Sequence, residues 1–501
     1  NVPNGRLHCT NMLREIVLPS ISFSDHNPGT IADAWEVCCR LTFQERYALY
    51  GEWFNDFYKK NVETKLLKAH TEREIKDIMR RVAKNDVRRS GRDLGKLAHS
   101  NPTIVFNIML DQIQQMDNLA TLIPDACRYL GDCAYDVLGY VLTEKWTGSQ
   151  GAGKMVKKKE KDDGMPATWL RSLAVFTGMV FKKQSIDVTP LLRYVAARLR
   201  YPDSVPDLIL LNEFVTKLGG IEILGSATTD DQVTAAGCAD SVKSEAFLAV
   251  DVENRRANRR VLERLKESLR RNNVGLEILI LTVFLEESVL IEQGVPASDR
   301  SARLDRVHQA QSQYFQLFTE LFEGEEFAAL MPDVDVLVKE YGLPMNVALR
   351  FNRPKMQLKI KNSMDVPVVE GQVWEPFQAL AQAVPDLMNN PSWMEIFPAE
   401  FYIIFWQLGN YDIFCPESQY ENAMKIQNEI IRQCKDPRSQ LCMTNRPNTV
   451  TKKERQAEAT LEAIKKDLQQ HKAHVAKVMS VLEESKKRWF PNLNQRTAQI
   501  A

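Results

Sequence analysis

Asn101-Pro-Thr-Ile-Val-Phe-Asn-Ile-Met-Leu-Asp-Gln-Ile-Gln-Gln-Met116 decides the fold class. Asn101 before Pro102 reads as a helix N-cap with proline at the first helical position, where its missing N–H is no loss. Behind it Val105, Met109, Ile113 and Met116 fall three and four apart, so one helix face is apolar. The same pattern recurs on either side. Upstream, Thr71 and Glu74 have capping-box spacing, and Ile75, Ile78, Met79 and Val82 follow on one face. Downstream come Cys127, Leu130, Ala134, Val137, Leu138 and Val141, then Trp169, Leu173, Phe176 and Val180. Leu192, Val195 and Leu199 follow Thr189-Pro190, and Leu208, Leu211, Val215 and Leu218 close the series. No comparable run of strict apolar/polar alternation, the mark of a half-buried strand, appears. The chain reads as all-α, an α-solenoid of HEAT-like antiparallel helix pairs about 40 residues long.

With 501 residues the chain has room for two to four packed units. Apolar residues make up 44% and charged residues 26%, which suits a large buried core and excludes a disordered tail. Lys plus Arg and Asp plus Glu each total 65, so any electrostatic footprint has to be local. The nine cysteines form no Cys-x-x-Cys pair, and every Asn-x-Ser/Thr has Pro at x. That pattern fits reduced thiols of the cytosol or nucleus, and argues against a secreted or zinc-stapled protein. The most apolar stretch, 276–285, holds Glu277 and is too short to cross a bilayer, which takes about 20 apolar residues. Asn1 in place of Met, with no basic-then-apolar leader behind it, is expected of a piece of a longer protein.

Composition breaks divide the chain. We expect a lead-in over 1–34, a helical-repeat domain over 35–224 with a Gly- and Lys-rich loop at 148–166, and a small-residue linker over 225–250. A second helical domain over 251–434, a polar loop over 435–450 and a long helix over 451–490 follow. From Thr451 to Trp489 there is no Gly or Pro. Leu461, Ile464, Leu468, His471, Val475, Val478, Leu482, Ser485 and Trp489 alternate steps of three and four. This heptad seam needs a partner helix, expected from another chain or from a neighbouring segment beyond this sequence. Leu461, Ile464, Leu468, Val475, Val478 and Leu482 are therefore candidate subunit-interface residues.

Reactive groupings are few. Gly148-Ser-Gln-Gly-Ala-Gly153-Lys154 fits part of a phosphate-binding loop, but Met155 replaces the magnesium-binding hydroxyl and a helical pattern, not a strand, precedes it. His471 and His474 lie three apart with no third ligand at metal spacing, so a seam histidine is the better reading. Cys127 and Cys133 sit on apolar faces and read as core. We expect no enzyme, no cofactor and no metal. The remaining signal is basic. From Thr71 to His99 there are nine Lys/Arg against five Asp/Glu, and Arg88, Arg92 and Lys96 are four apart. Arg88, Arg89, Arg92, Lys96 and His99 are the candidate surface for an acidic partner or RNA. Arg255, Arg256, Arg259, Arg260, Arg264, Arg270 and Arg271 form a second basic stretch. A solvated helix face is the bland alternative for both. No aromatics are interleaved among the cations, so sequence-specific RNA reading is not indicated.

Several blocks are distinctive. Ser90-Gly-Arg-Asp-Leu-Gly-Lys-Leu-Ala-His-Ser-Asn-Pro-Thr-Ile-Val-Phe106 resembles the signature of the THO complex subunit 2 family. Glu45-Arg-Tyr-Ala-Leu-Tyr-Gly-Glu-Trp53, Tyr135-Asp-Val-Leu138 and Asp207-Leu-Ile-Leu-Leu211 are similar to that family too. So is the aromatic block Pro398-Ala-Glu-Phe-Tyr-Ile-Ile-Phe-Trp-Gln-Leu408 with Tyr411-Asp412, Pro416 and Tyr420-Glu421. The resemblance implies a first domain like the middle domain of the translation-initiation scaffold, a second helical domain, and a long helix packed with other THO subunits. It also implies a nuclear, non-enzymatic scaffold that docks a DEAD-box RNA helicase and serves mRNA processing and export, with mRNA a further partner. Two rivals remain: a direct RNA-binding module, and a middle-domain scaffold of another helicase pathway.

Overall fold

A computed structural model describes residues 5–24, 26–82, 86–148, 159–160, 165–221, 229–239, 241–243, 252–364, 372–387, 398–436 and 447–489. The chain is all-α: among the described residues the only β feature is an isolated antiparallel bridge between Glu160 and Pro166. Packing groups 1–222 with 257–321, and 223–256 with 322–501. Composition divides the chain at 225–250. The packing instead keeps 257–321, the first part of the expected second domain, with the first unit.

The first unit begins with α1 (Gly5–Met12), α2 (Leu18–Ser22), α3 (Pro28–Cys38) and α4 (Phe43–Asn55). It continues with α5 (Val62–Arg81), α6 (Val87–Ser100), α7 (Pro102–Gln115), α8 (Asp117–Ala126) and α9 (Asp132–Trp146). Beyond these lie α10 (Thr168–Lys183), α11 (Thr189–Arg198) and α12 (Leu208–Glu213). Each helix packs on the second one along: α5 on α7, α6 on α8, α7 on α9, α8 on α10 and α9 on α11. α7 is the axis of this stack, with Val105, Phe106, Met109, Leu110 and Ile113 wholly buried. Each such side chain contributes about 1.5–3 kcal/mol of transfer free energy. After the composition break, α14 (Val252–Arg270), α15 (Val274–Ile291) and α16 (Ala297–Leu321) extend the unit, α15 on α11 and α16 on α12. The apolar 276–285 stretch lies in α15 and is core. No helix among the described residues is long and apolar enough to cross a membrane.

Two expected caps are not caps. Thr71 lies mid-helix in α5, which starts at Val62, and its hydroxyl donates to the Leu67 carbonyl. The Thr-x-x-Glu spacing is met inside a longer helix whose own start is Asn61, where Thr64 closes the box. Asn101 does precede α7, with Pro102 at its first turn, yet its side chain makes no cap. It accepts from the Tyr58 hydroxyl at 2.9 Å and donates to the Ser22 carbonyl at 3.3 Å. Met116, the last expected stripe residue, falls just past the helix and is exposed.

The second unit contains α13 (Asp230–Ala235), α17 (Gly324–Leu330), α18 (Val334–Lys339), α19 (Met345–Asn362) and α20 (Glu375–Leu387). It ends with α21 (Ala399–Gln407), α22 (Asn410–Ile413), α23 (Glu417–Lys435) and α24 (Pro447–Trp489). The 43 residues of α24 run about 65 Å at 1.5 Å per residue. α23 and α24 lie antiparallel, with Glu417 joined to Lys472 and Lys435 to Glu454.

The heptad seam finds its partner within this chain, which corrects the expectation of a trans or missing helix. Ile464 and Leu468 pack with Cys238, Val242, Tyr420 and Ala423. Val478, Val481 and Leu482 pack with Met356, Ile360, Trp374, Phe377, Ile403 and Ile404. Leu461 and Val475 are half-buried on the same face. The physical reason is that α23 folds back along α24 and α19–α21 cover its last turns, so the apolar stripe is satisfied in cis. The expected 225–250 linker supplies Cys238 and Val242 to this core; residues 222–228, 240 and 244–251 lie outside those described. So do 437–446 of the expected polar loop.

Candidate functional site

α6 has two faces of opposite character. Ser90, Gly91, Leu94, Gly95, Leu97 and Ala98 are buried, while Arg88, Arg89, Arg92 and Lys96 are exposed. The helix tolerates its two glycines because they are contact points. A Cβ on Gly91 would lie 2.7 Å from the Tyr129 ring and 2.8 Å from the Ala126 carbonyl oxygen. A Cβ on Gly95 would lie 2.8 Å from the Tyr129 carbonyl oxygen. α6 thus presses directly onto the backbone at the end of α8, and the cations are turned outward. Arg92 lies over the Tyr129 ring, 5.8 Å from its centroid.

His99, the fifth candidate, stands apart from the four cations. It is half-buried, its Nδ1 has no hydrogen-bond partner among the described residues, and burial, then the nearby His26, pushes its pKa down. The end of the signature is an interior clasp. The Ser100 hydroxyl donates to the Ser24 carbonyl at 2.9 Å and accepts from the His26 N–H at 3.1 Å. Trp53 Nε1 donates to Ser22 Oγ at 2.9 Å. The packed residues of this block and its exposed cations are thus different residues.

Two further polar clusters tie distant segments, and their members drew no attention as charged groups in the sequence. Arg46 makes a two-pronged pair with Asp136, at 2.7 and 2.8 Å, while its third nitrogen donates to the Leu41 carbonyl. The Tyr50 hydroxyl donates to the same carboxylate at 2.9 Å. Asp207, 1% exposed, accepts from Lys159 at 2.6 Å and from Arg198 at 2.9 Å. Tyr194 donates to the Trp146 carbonyl at 2.7 Å beside them. Burial is the largest influence on Lys159 and pushes its pKa down despite the ion pair. Asp136 and Asp207 fall in the 135–138 and 207–211 blocks, and only the aspartates' place in apolar runs hints at burial.

In the second unit the aromatic block meets α24. His471 is wholly buried, with Nδ1 2.9 Å from the Tyr420 hydroxyl and Nε2 2.8 Å from the Tyr411 carbonyl. His474 Nε2 lies 2.8 Å from Asp412 Oδ1, and Asp412 Oδ2 accepts from the Gly409 N–H at 2.7 Å. Glu400 accepts from Arg488 at 2.7 Å and from Ser485 at 3.1 Å. Arg353 donates to the Trp406 carbonyl at 2.7 Å. The two histidines thus have protein partners, which register α22 and α23 against the long helix, while Glu400 with Arg488 and Ser485 does the same for α21. Cys127 and Cys133 are buried, and burial pushes the Cys127 thiol up to about 12. Of the Gly148–Lys154 motif only Gly148 is described, just past the end of α9; 149–158 and 161–164 of the 148–166 loop lie outside the described residues. The side chains of Arg255 and Arg256 are outside them as well, and Arg264 is drawn into the core side, donating to the Gln184 carbonyl at 2.7 Å.

Fold and site together define an all-helical protein whose notable features among the described residues are internal polar clasps and a basic outer face on α6. Three family models match it: "THO complex subunit 2 N-terminus" over 4–92, "Transcription- and export-related complex subunit" over 94–174, and "Transcription factor/nuclear export subunit protein 2" over 394–501. THO complex subunit 2 of Dasypus novemcinctus and of Homo sapiens are each 30% identical to it over 498 residues, covering 95% of this chain. The Arabidopsis thaliana protein of the same name is 26% identical over 521 residues, covering 97% of the chain. The chain belongs to the THO complex subunit 2 family. It spans 30% of the length of the two animal relatives and 28% of the plant one.

Proposed function

We propose that the chain is a scaffold segment of a THO/TREX assembly in the nucleus, coupling transcription to mRNA processing and export. The observation that carries this reading is family resemblance along 95% of the chain, on a fold that ties distant segments through clasps such as Arg46 with Asp136 and Lys159 with Asp207. Its partners are other THO subunits, a DEAD-box RNA helicase and mRNA, and it performs no chemistry itself. The region from Trp35 to Gly220 contacts the helicase lobes and biases their relative orientation. A scaffold shifts such an equilibrium only through unequal affinity for the open and closed states. Because α24 packs its seam inside the chain, THO subunits dock on the outward faces of the second unit.

The test is RNA-stimulated ATPase activity of the nuclear DEAD-box export helicase with and without the whole chain at equal concentration. A changed rate supports the helicase-regulating scaffold. An unchanged rate together with no detectable binding overturns the helicase part of the reading and leaves assembly architecture.

A further inference from the structure

We infer that the outer face of α6, with Tyr129 beside it, binds the phosphate backbone of single-stranded RNA. Arg88, Arg89, Arg92 and Lys96 are exposed on one helix, and none is engaged in an ion pair among the described residues. The neighbouring helix is partly neutralised. On α5, Lys76 is held by Glu72 and Arg80 by Asp77. In a chain whose charges balance at 65 to 65, four unneutralised cations on a single face are a local departure with an electrostatic cost. The acids on or beside α6, Asp86 and Asp93, are half-buried and do not pair with these cations, and Asp125 is taken by Lys183 at 2.7 Å.

Geometry favours a nucleic-acid strand over an acidic protein segment. Arg88, Arg92 and Lys96 step four residues at a time, about 6 Å along the axis, close to the separation of successive phosphates on a strand. Three of the four cations are arginines, whose planar fork matches phosphate oxygens. The Arg92 guanidinium lies 5.8 Å over the half-buried Tyr129 ring, which orders it and places an aromatic surface at the edge of the row. An unpaired base can stack there, whereas carboxylates have no use for the ring. A convex helix face with one ring suits an open strand more than a duplex. The choice of RNA over DNA rests on the scaffold reading; the rest stands on the face itself.

The experiment is fluorescence anisotropy of a labelled 20-nucleotide oligo-uridine with the whole chain, titrated across salt concentrations. Log affinity should fall linearly with log salt, at about 0.7 per neutralised phosphate. The Arg88→Gln/Arg92→Gln/Lys96→Gln variant should lose about ten-fold or more in affinity, and its salt slope should drop by about two. Its thermal transition should match the parent, since all three side chains are exposed. The single Arg92→Gln variant should lie between the two. No binding by the parent, or an unchanged affinity and slope in the triple variant, overturns the inference. Displacement of the oligonucleotide by poly-glutamate at equal charge would assign the face to an acidic protein and overturn it as well. No helicase enters the measurement, so its failure is separate from failure of the scaffold reading.

Discussion

The ring of Tyr411 lies flat on the ring of His471, their centroids 4.0 Å apart and their planes 10° from parallel. The protonation of that histidine follows from its partners. The Tyr411 carbonyl only accepts, so Nε2 carries the proton and donates at 2.8 Å. Nδ1 then accepts from the Tyr420 hydroxyl, which in turn accepts from the Ala239 N–H at 2.8 Å. One neutral imidazole thereby joins α22, α23, α24 and the segment at residue 239. The remaining groups around it are His474, Asp412 and Lys243.

The second unit should lose stability on acidification. Burial is the main cause that holds the His471 pKa below its ordinary value of 6.5. Below that value the unfolded chain takes up a proton that the folded chain resists, so stability rises with pH up to about 6.5 and is flat above it. Amide exchange of α23 and α24, corrected for intrinsic rates, should show weaker protection at about pH 5.5 than at about pH 7.5. In His471→Gln the pH dependence should shrink; an undiminished dependence would place its source elsewhere.

Leu468→Asp tests where the seam is satisfied. Leu468 packs against Tyr420, Ala423, Cys238 and Val242, so a carboxylate there should cost about 2–5 kcal/mol. Protection should fall across α23 and α24 and stay unchanged in α6 to α9. Full protection in the variant, with loss of a bound subunit, would instead show that the seam acts in trans.

Gly95→Ala should destabilise the first unit although alanine favours helix by about 1 kcal/mol. The new Cβ would sit 2.8 Å from the Tyr129 carbonyl oxygen, a backbone atom held by its own turn. Overpacking of this kind costs about 1–3 kcal/mol, so the net effect is a lower melting temperature. Arg92→Ala on the opposite face of the same helix should stay within about 0.5 kcal/mol of the parent. A stabilised Gly95→Ala chain would refute the close approach.

Asp136→Ala should be among the most damaging single changes in the first unit. It would leave the Arg46 guanidinium, 11% exposed, with the Leu41 carbonyl as its hydrogen-bond acceptor and the Trp35 ring beneath it, and strand the Tyr50 hydroxyl. Breaking a buried pair from one side costs about 3–5 kcal/mol. Urea unfolding should show that loss, and a change below about 1 kcal/mol would mean the pair is solvated in solution.

What the sequence by itself determined is local. Helix periodicity is a property of one element's own geometry, so Val105, Met109 and Ile113 announced the core face of α7, and Arg88, Arg92 and Lys96 announced an outward row on α6. The same logic found the α24 seam and its buried Ile464, His471 and Val478. It failed where a local pattern has two possible settings. Thr71-x-x-Glu74 occurs inside a helix as readily as at its start, and Asn101 caps only if nothing better claims its side chain. Only the tertiary structure decided the partners. Tyr129 reaches Arg92, Asp136 reaches Arg46, Lys159 reaches Asp207, and Tyr411 and Tyr420 reach His471 across separations of 37 to 90 residues that no periodicity spans. Those meetings depend on how each connection turns the next helix, which is settled by the packing of whole helices and not by any residue's immediate neighbours.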